Sequence, residues 1–295
     1  MSISRELSPL ELLIEAKTSD IGGLQVRRSL PNVNRRMVGP FIFFDHMGPV
    51  DFEIGNGLDV RPHPHIGLST LTYLFEGEIV HRDTLGVEQK IQSGAVNWMT
   101  AGSGVAHSER SPQDSRSVVQ RLHGIQTWIA LPKEQEEVAP SFFHHGEKEI
   151  PETSQGGTAV RVVAGDFGDI TSPVETSSEL TYLDLRMPRG EFFQLEKPSH
   201  ELALYCVNGR IAVGDQVLRE GALGVFHAGE TVRFRAEEAS RAILVGGLPL
   251  GERKHIWWNF VSSSKERIER AKEDWREQNF GRVRGEHEHI PLPER

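Results

Sequence analysis

The sequence predicts an all-β protein: two antiparallel β-barrels in tandem, followed by one C-terminal helix. Three observations carry this expectation. Short apolar runs recur between Gly, Pro and Asp turns with no helical period between them, the pattern of a sandwich or barrel. Glycine is abundant, at 29 of 295 residues, as many tight turns require. Two pairs of segments also align at similar offsets, which points to a duplicated barrel. Glu76-Gly77-Glu78-Ile79 resembles Asn208-Gly209-Arg210-Ile211 (209 − 77 = 132), and Gln92-Ser93-Gly94-Ala95 resembles Arg219-Glu220-Gly221-Ala222 (221 − 94 = 127). The expected division is a metal-binding N-terminal barrel over 1–132, a linker over 133–157, a second barrel over 158–250 and a helix-bearing tail over 251–295.

In chain order, Ser8-Pro9-Leu10-Glu11 has the form of a helix start, with Pro at the first position and an acid in the first turn. Gly22-Gly23 then breaks the chain. Leu24–Leu30 reads as a strand, and Val38–Met47 as a hydrophobic strand ending in Asp45-His46 before a Gly48-Pro49 turn. Leu68–Phe75 and Ile79–Arg82 are strands about a tight turn at Gly77, and Leu122–Leu131 returns as the last strand of the first barrel. Lys133–Pro140 is acidic and polar, as a linker would be. In the second half, Val160–Ala164, Tyr182–Met187, Leu202–Val207, Ala222–Phe226 and Ala242–Gly246 read as strands. The tail changes period. Ser263-Ser264-Lys265-Glu266 forms a capping-box pattern, with Ile268, Ala271 and Trp275 at helical spacing behind it. Ile256-Trp257-Trp258-Asn259-Phe260 is expected to pin that helix to a barrel.

The formal net charge of −9 argues against a direct grip on nucleic acid, which needs clustered cations. A single cysteine, Cys206 in an apolar strand-like run, permits no internal disulfide and reads as a buried core residue. The N-terminus lacks the apolar core of a signal peptide, and no apolar run is long enough to span a bilayer. A cytoplasmic protein, acting as a monomer without a membrane partner, is the expectation.

The chemistry concentrates between Arg61 and Glu109. Arg61-Pro62-His63-Pro64-His65 opens this stretch, and Gly102-Ser103-Gly104-Val105-Ala106-His107-Ser108-Glu109 closes it. Each end carries two potential ligands spaced i, i+2, which a strand places on one face. Facing strands would offer His63, His65, His107 and Glu109 to one point. Imidazoles with a carboxylate suit Fe, Mn, Co, Ni, Cu or Zn and leave positions open on the ion. A structural zinc is more often closed by four ligands, frequently thiolates. Pro62 and Pro64 cannot donate to a ladder, so their strand belongs at an edge or a barrel mouth. The glycines at 102 and 104 allow the turn that aims His107 inward. His144-His145 and His287-Glu288-His289 lie in charged, linker-like surroundings and read as solvated. On the two offsets, His63, His65, His107 and Glu109 fall on Leu195, Lys197, Phe234 and Ala236, so the second half keeps the fold and lacks the site.

These residues match a family. Met37–Phe41, Phe44–Pro49, Arg61–His65, Thr72-Tyr73-Leu74, His81-Arg82-Asp83, Trp98–Gly102, His107-Ser108-Glu109, Leu122–Gln126 and Val163-Ala164-Gly165 together resemble the pirin family of the cupin superfamily. The resemblance is detailed across 22–130 and looser to about 250; the tail from His255 is similar to that of a subset of bacterial members. It implies a bicupin, two cupin-type barrels, with iron as Fe(2+) in the first. It carries the metal-ligand role onto His63, His65, His107 and Glu109. The Glu that often follows a cupin His-x-His is absent; Ser69 stands near its place.

The resemblance implies two activities. One is dioxygen-dependent cleavage of flavonols such as quercetin, with Glu109 as ligand and base for the flavonol hydroxyl. The other is non-catalytic regulation through a protein partner, with the metal as a structural or redox element. A zinc hydrolase is a third reading. Asp45, His46, His81 and Gln126 are candidates to orient the ligands.

Overall fold

The computed structural model describes residues 8–21 and 23–294; the Met1–Leu7 lead-in and the expected break at Gly22 lie outside them. Contacts divide the chain into two compact units that are not continuous in sequence. One takes the residues up to Lys17, Ser29–Phe41 and Pro151–Pro249; the other takes Thr18–Arg28, Ile42–Ile150 and everything from Leu250. Strands distant in sequence complete each unit, so neither is one continuous stretch.

The unit that holds the candidate ligands has two antiparallel sheets. In lateral order, the larger runs Ser141–His145, Val96–Thr100, Leu68–Glu76, Gln120–Ala130, Phe41–Phe52, Leu24–Leu30, Lys17–Ile21. The smaller runs Asp59–His65, Val105–Arg110, Glu78–Asp83, Glu88–Gln92. Alternate residues of both sheets meet in one core: Leu24, Val26, Met47, Leu74 and Leu122 from the larger, Ile79 and Ile91 from the smaller. Each such side chain, fully buried, contributes about 1.5–3 kcal/mol. Among the described residues, no strand ladder joins the two sheets. The expected barrels are thus pairs of facing sheets that stay open.

The other unit repeats this plan. Its larger sheet runs Leu10–Glu15, Ala222–Phe226, Glu201–Asn208, Ser240–Gly247, Leu180–Met187, Thr158–Phe167, Glu152–Gln155, and its smaller sheet Phe192–Leu195, Val232–Ala236, Arg210–Val213, Gln216–Arg219. Position for position, the lateral orders of the two units correspond, so the duplication suggested by two weak motifs is present in the topology. Cys206 is buried in this unit, as expected, and burial pushes its thiol up to about 12.

Three local expectations fail. Leu10–Glu15 is a strand and not the start of a helix; it pairs with Ala222–Phe226. Leu10 and Ile14 are its buried residues, a spacing that suits a helix face as well as a strand face, and the open sheet edge decides between them. Ser141–His145 is a strand on Val96–Thr100, and His144 Nδ1 lies 2.7 Å from Asn97 Oδ1. Within the supposed linker, Glu136 is buried and accepts from Lys254 Nζ at 2.6 Å, from Ser262 Oγ at 2.8 Å and from the Ser263 backbone N–H at 2.8 Å. The terminal His287-Glu288-His289 is exposed, as expected, although the residues on either side of it are tied down. Glu286 and Glu288 bind Arg110 at 2.7 and 3.1 Å, and the Ile290 N–H bonds Pro62 O at 2.8 Å. Charge misled at Glu136 and Glu286, because each has a buried or half-buried cation as partner.

The tail otherwise follows expectation. The hairpin His255–Trp257 and Phe260–Ser262 leads into the helix Lys265–Arg276. Ser264, one residue beyond the expected cap, accepts from the Arg267 N–H at 3.1 Å. Ile268, Ala271 and Trp275 turn inward and pack with Ile66, Ala106 and Phe260. No helix among the described residues is long and apolar enough to cross a membrane.

Candidate metal centre

The strand Asp59–His65 lies at the lateral edge of its sheet, as its two prolines require. Its register puts His63 opposite His107 and His65 opposite Val105, but Glu109 opposite Val60. Two steps along one strand thus match three along the other, and the bulge falls at Arg61-Pro62. The turn that leads into Val105–Arg110 depends on Gly102. Its φ is +50°, and a Cβ there would sit 2.0 Å from Val138 O. No side chain fits.

The structure brings three of the four candidates to one point. Ligand nitrogens of His63, His65 and His107 all lie within 4.8 Å of one another. His65 Nε2 is 3.0 Å from His107 Nε2. All three rings are buried. His63 Nδ1 lies 2.9 Å from Arg61 O. A carbonyl only accepts, so Nδ1 carries the hydrogen and Nε2 keeps a free lone pair. Burial pushes all three imidazoles below the usual histidine range, which favours the neutral, ligating form. Nitrogens about 2.0–2.1 Å from a shared ion stand roughly 3–4 Å apart, so the cluster fits a transition metal.

Glu109 does not join this group. It is buried in the same interior, and its charge acts on His63. Its carboxylate, however, accepts from Gln126 Nε2 at 2.9 and 2.8 Å and from Thr72 Oγ1 at 3.2 Å. Ser69 bonds Thr100 at 3.0 Å and offers no carboxylate.

Of the four orienting candidates, Gln126 holds Glu109, and His81 Nδ1 lies 3.2 Å from His107 Nδ1. Asp45 and His46 are engaged elsewhere. Asp45 makes a two-pronged pair with Arg28 at 2.8 and 2.7 Å. Its carboxyl is pushed up by burial, against the opposing pull of Arg28. His46 Nε2 lies 2.7 Å from His123 Nε2, and burial, assisted by Arg27 and His123, pushes it down to about 2. Sequence reasoning missed Thr72, Asp83, Trp128 and Asn259. Trp128 packs edge-on against His65 at 5.1 Å and stacks on Phe43 at 3.9 Å. The Asn259 backbone faces His65 and favours its protonated form, without a full hydrogen bond at Nδ1. Asp83 was legible: His81-x-Asp83 has the same i, i+2 spacing as His63-x-His65. A cleft of about 790 Å³ lined by Asp59, Arg82, Arg110 and Glu286 contains none of the candidate ligands.

In the other unit, the register puts Phe193 opposite Phe234 and Leu195 opposite Val232. The counterparts of His63, His65, His107 and Glu109 are therefore Phe193, Leu195, Phe234 and Ala236. For His63 and His65 this corrects the expected Leu195 and Lys197 by two residues, because Leu195 precedes Gly209 by 14 positions and His65 precedes Gly77 by 12.

Comparison with known proteins agrees with this geometry. Residues 23–129 match the pirin family model, and residues 182–281 match that of the pirin C-terminal cupin domain. The chain belongs to the pirin family. A pirin-like protein of Caulobacter vibrioides is 48% identical, with 97% of this chain and 100% of that relative covered. A Pseudomonas aeruginosa protein that bears the provisional name of a quercetin 2,3-dioxygenase is 39% identical, over 92% of this chain and 85% of its own. Among solved structures, the quercetin 2,3-dioxygenase of Acinetobacter baumannii superposes with a TM-score of 0.90 at 32% identity, covering 96% of this chain and 94% of that one. The fold of this pirin is thus a bicupin with a C-terminal helix.

Proposed function

We propose that this pirin is a metal-dependent dioxygenase that cleaves flavonols of the quercetin type. The observation that carries the reading is the convergence of three buried imidazoles in an interior shared with Glu109. A divalent ion bound there, Fe(2+) first and Mn, Co, Ni, Cu or Zn as alternatives, supplies Lewis acidity and redox chemistry. Glu109 stands beside the cluster rather than in it; it would take the proton of the flavonol 3-hydroxyl on a carboxylate oxygen, and would complete the ligand set only by turning from Gln126 toward the three nitrogens. Gln126 and Thr72 fix that carboxylate. Gln126 is half-buried while its partner is buried, so it marks the side from which substrate reaches the site. The Phe43–Trp128 stack forms a flat apolar wall beside His65, suited to an aromatic ring and to the exclusion of water. The names borne by the Pseudomonas and Acinetobacter proteins support the same reaction.

The test tracks quercetin absorbance and dioxygen uptake by metal-loaded protein. Equimolar loss of both, absent in His63→Ala, is expected. Metal-replete protein that turns over no flavonol would contradict the reading. It would favour a regulatory pirin acting through a protein partner, to which the complete burial of all three histidines is also suited.

A further inference from the structure

A line of three side chains leads away from the candidate metal centre. His107 Nδ1 lies 3.2 Å from His81 Nδ1, and His81 Nε2 lies 2.9 Å from Asp83 Oδ2. Asp83 Oδ1 accepts the backbone N–H groups of Leu85 at 2.9 Å and Val87 at 3.0 Å. All three side chains are buried. Phe142 stacks on the His81 ring at 4.5 Å and 25°, which keeps that ring from turning over.

The donors and acceptors can be assigned from the fixed end. A carboxylate oxygen accepts, so the hydrogen between His81 and Asp83 sits on His81 Nε2. With His81 neutral that is its one hydrogen, so its Nδ1 is an acceptor. The hydrogen between the two rings then belongs to His107 Nδ1. His107 Nε2 is left with its lone pair, and this is the atom that meets His65 Nε2 inside the cluster. We propose that Asp83 and His81 are positioning residues whose hydrogen-bond polarity holds His107 in its metal-ligating tautomer. The proposal rests on His107 as a metal ligand. It extends that reading to Asp83, which pairs with His107 across the strand ladder, and to the turn that follows it.

The geometry supplies its own polarity switch. In Asp83→Asn, the amide oxygen keeps the Leu85 and Val87 N–H bonds and the turn is preserved. The amide nitrogen then faces His81 Nε2 and donates to it. Every hydrogen in the line reverses, and His107 Nε2 becomes an N–H that cannot ligate. Loss of such outer support lowers metal affinity by about 10–100-fold.

The experiment is a Co(2+) titration of the full chain against a chromophoric chelator, with unfolding of the metal-free proteins as control. Asp83→Asn is expected to bind Co(2+) about 10–100-fold more weakly than the parent, with an unchanged metal-free melting temperature. His81→Gln carries an acceptor and a donor on one amide, so it retains affinity that His81→Leu loses. Folded Asp83→Asn with parental affinity overturns the proposal while leaving the metal reading intact. If Asp83→Asn does not fold, equal affinities of His81→Gln and His81→Leu overturn it instead. A parent chain that binds no Co(2+) overturns the metal reading and this inference together.

Discussion

Gln126 reaches both oxygens of the Glu109 carboxylate from a single amide nitrogen, at 2.9 and 2.8 Å. Its hydrogen bonds therefore fix where the proposed base can stand. A hydrogen bond to a charged group is worth about 1.5–3 kcal/mol, or roughly 10–100-fold in rate. Gln126→Ala is expected to lower the turnover number for quercetin by that factor, with metal content unchanged. Parental turnover in this variant would remove Gln126 from the machinery.

The second unit sets the metal count. Phe193 and Phe234 hold the register of His63 and His107, and their rings stack at 5.2 Å within the core. That interior is closed by hydrocarbon. Elemental analysis of metal-saturated protein is expected to give one ion per chain. Phe234→Ala should destabilise the fold by about 3–5 kcal/mol, measured by urea unfolding, and leave the metal count at one.

Acid should destabilise the metal-free protein. An unfolded histidine takes up a proton near 6.5, whereas His46 in the fold does so only at about 2, and His65 and His107 also lie well below 6.5. The unfolded chain thus binds more protons throughout that window. Stability is complete above 6.5 and falls as pH drops below it, by about 1.4 kcal/mol per pH unit for each such group. His46→Gln removes one group and should make the fall shallower by that amount. Urea unfolding at pH 7.5, 6 and 5 checks both; a flat profile would contradict the assignment of buried neutral histidines.

Lys254 and Glu136 form a fully enclosed pair at 2.6 Å that ties the tail to the supposed linker. Removing one partner leaves the other charged and buried, which costs about 3–5 kcal/mol. Lys254→Met is expected to lower the melting temperature sharply, and the double variant Lys254→Met, Glu136→Leu to recover much of the loss. Calorimetry of the two proteins decides the matter.

Much of this was legible in the sequence where a local pattern had one solution. His63-x-His65 and His107-x-Glu109 alternate, and alternation in a strand leaves no choice of face. Pro62 and Pro64 forced an edge. Ile268, Ala271 and Trp275 could lie together only on a helix. The failures share a different cause. Leu10 and Ile14 fit a strand or a helix, and the choice was made by Ala222–Phe226, about 210 residues away. Glu136 and Glu286 look solvated until Lys254 and Arg110 are placed beside them. Convergence of three rings was readable from spacing; the turning of Glu109 toward Gln126 depends on a strand whose register no local pattern specifies.

Carbon monoxide release from quercetin under dioxygen tests the central claim most directly, because it reports the ring cleavage itself. The metal-loaded parent is expected to release it in proportion to the quercetin consumed, and His107→Ala to release none. Metal-replete parent that consumes no quercetin and releases no carbon monoxide, or His107→Ala that releases as much as the parent, would contradict the account.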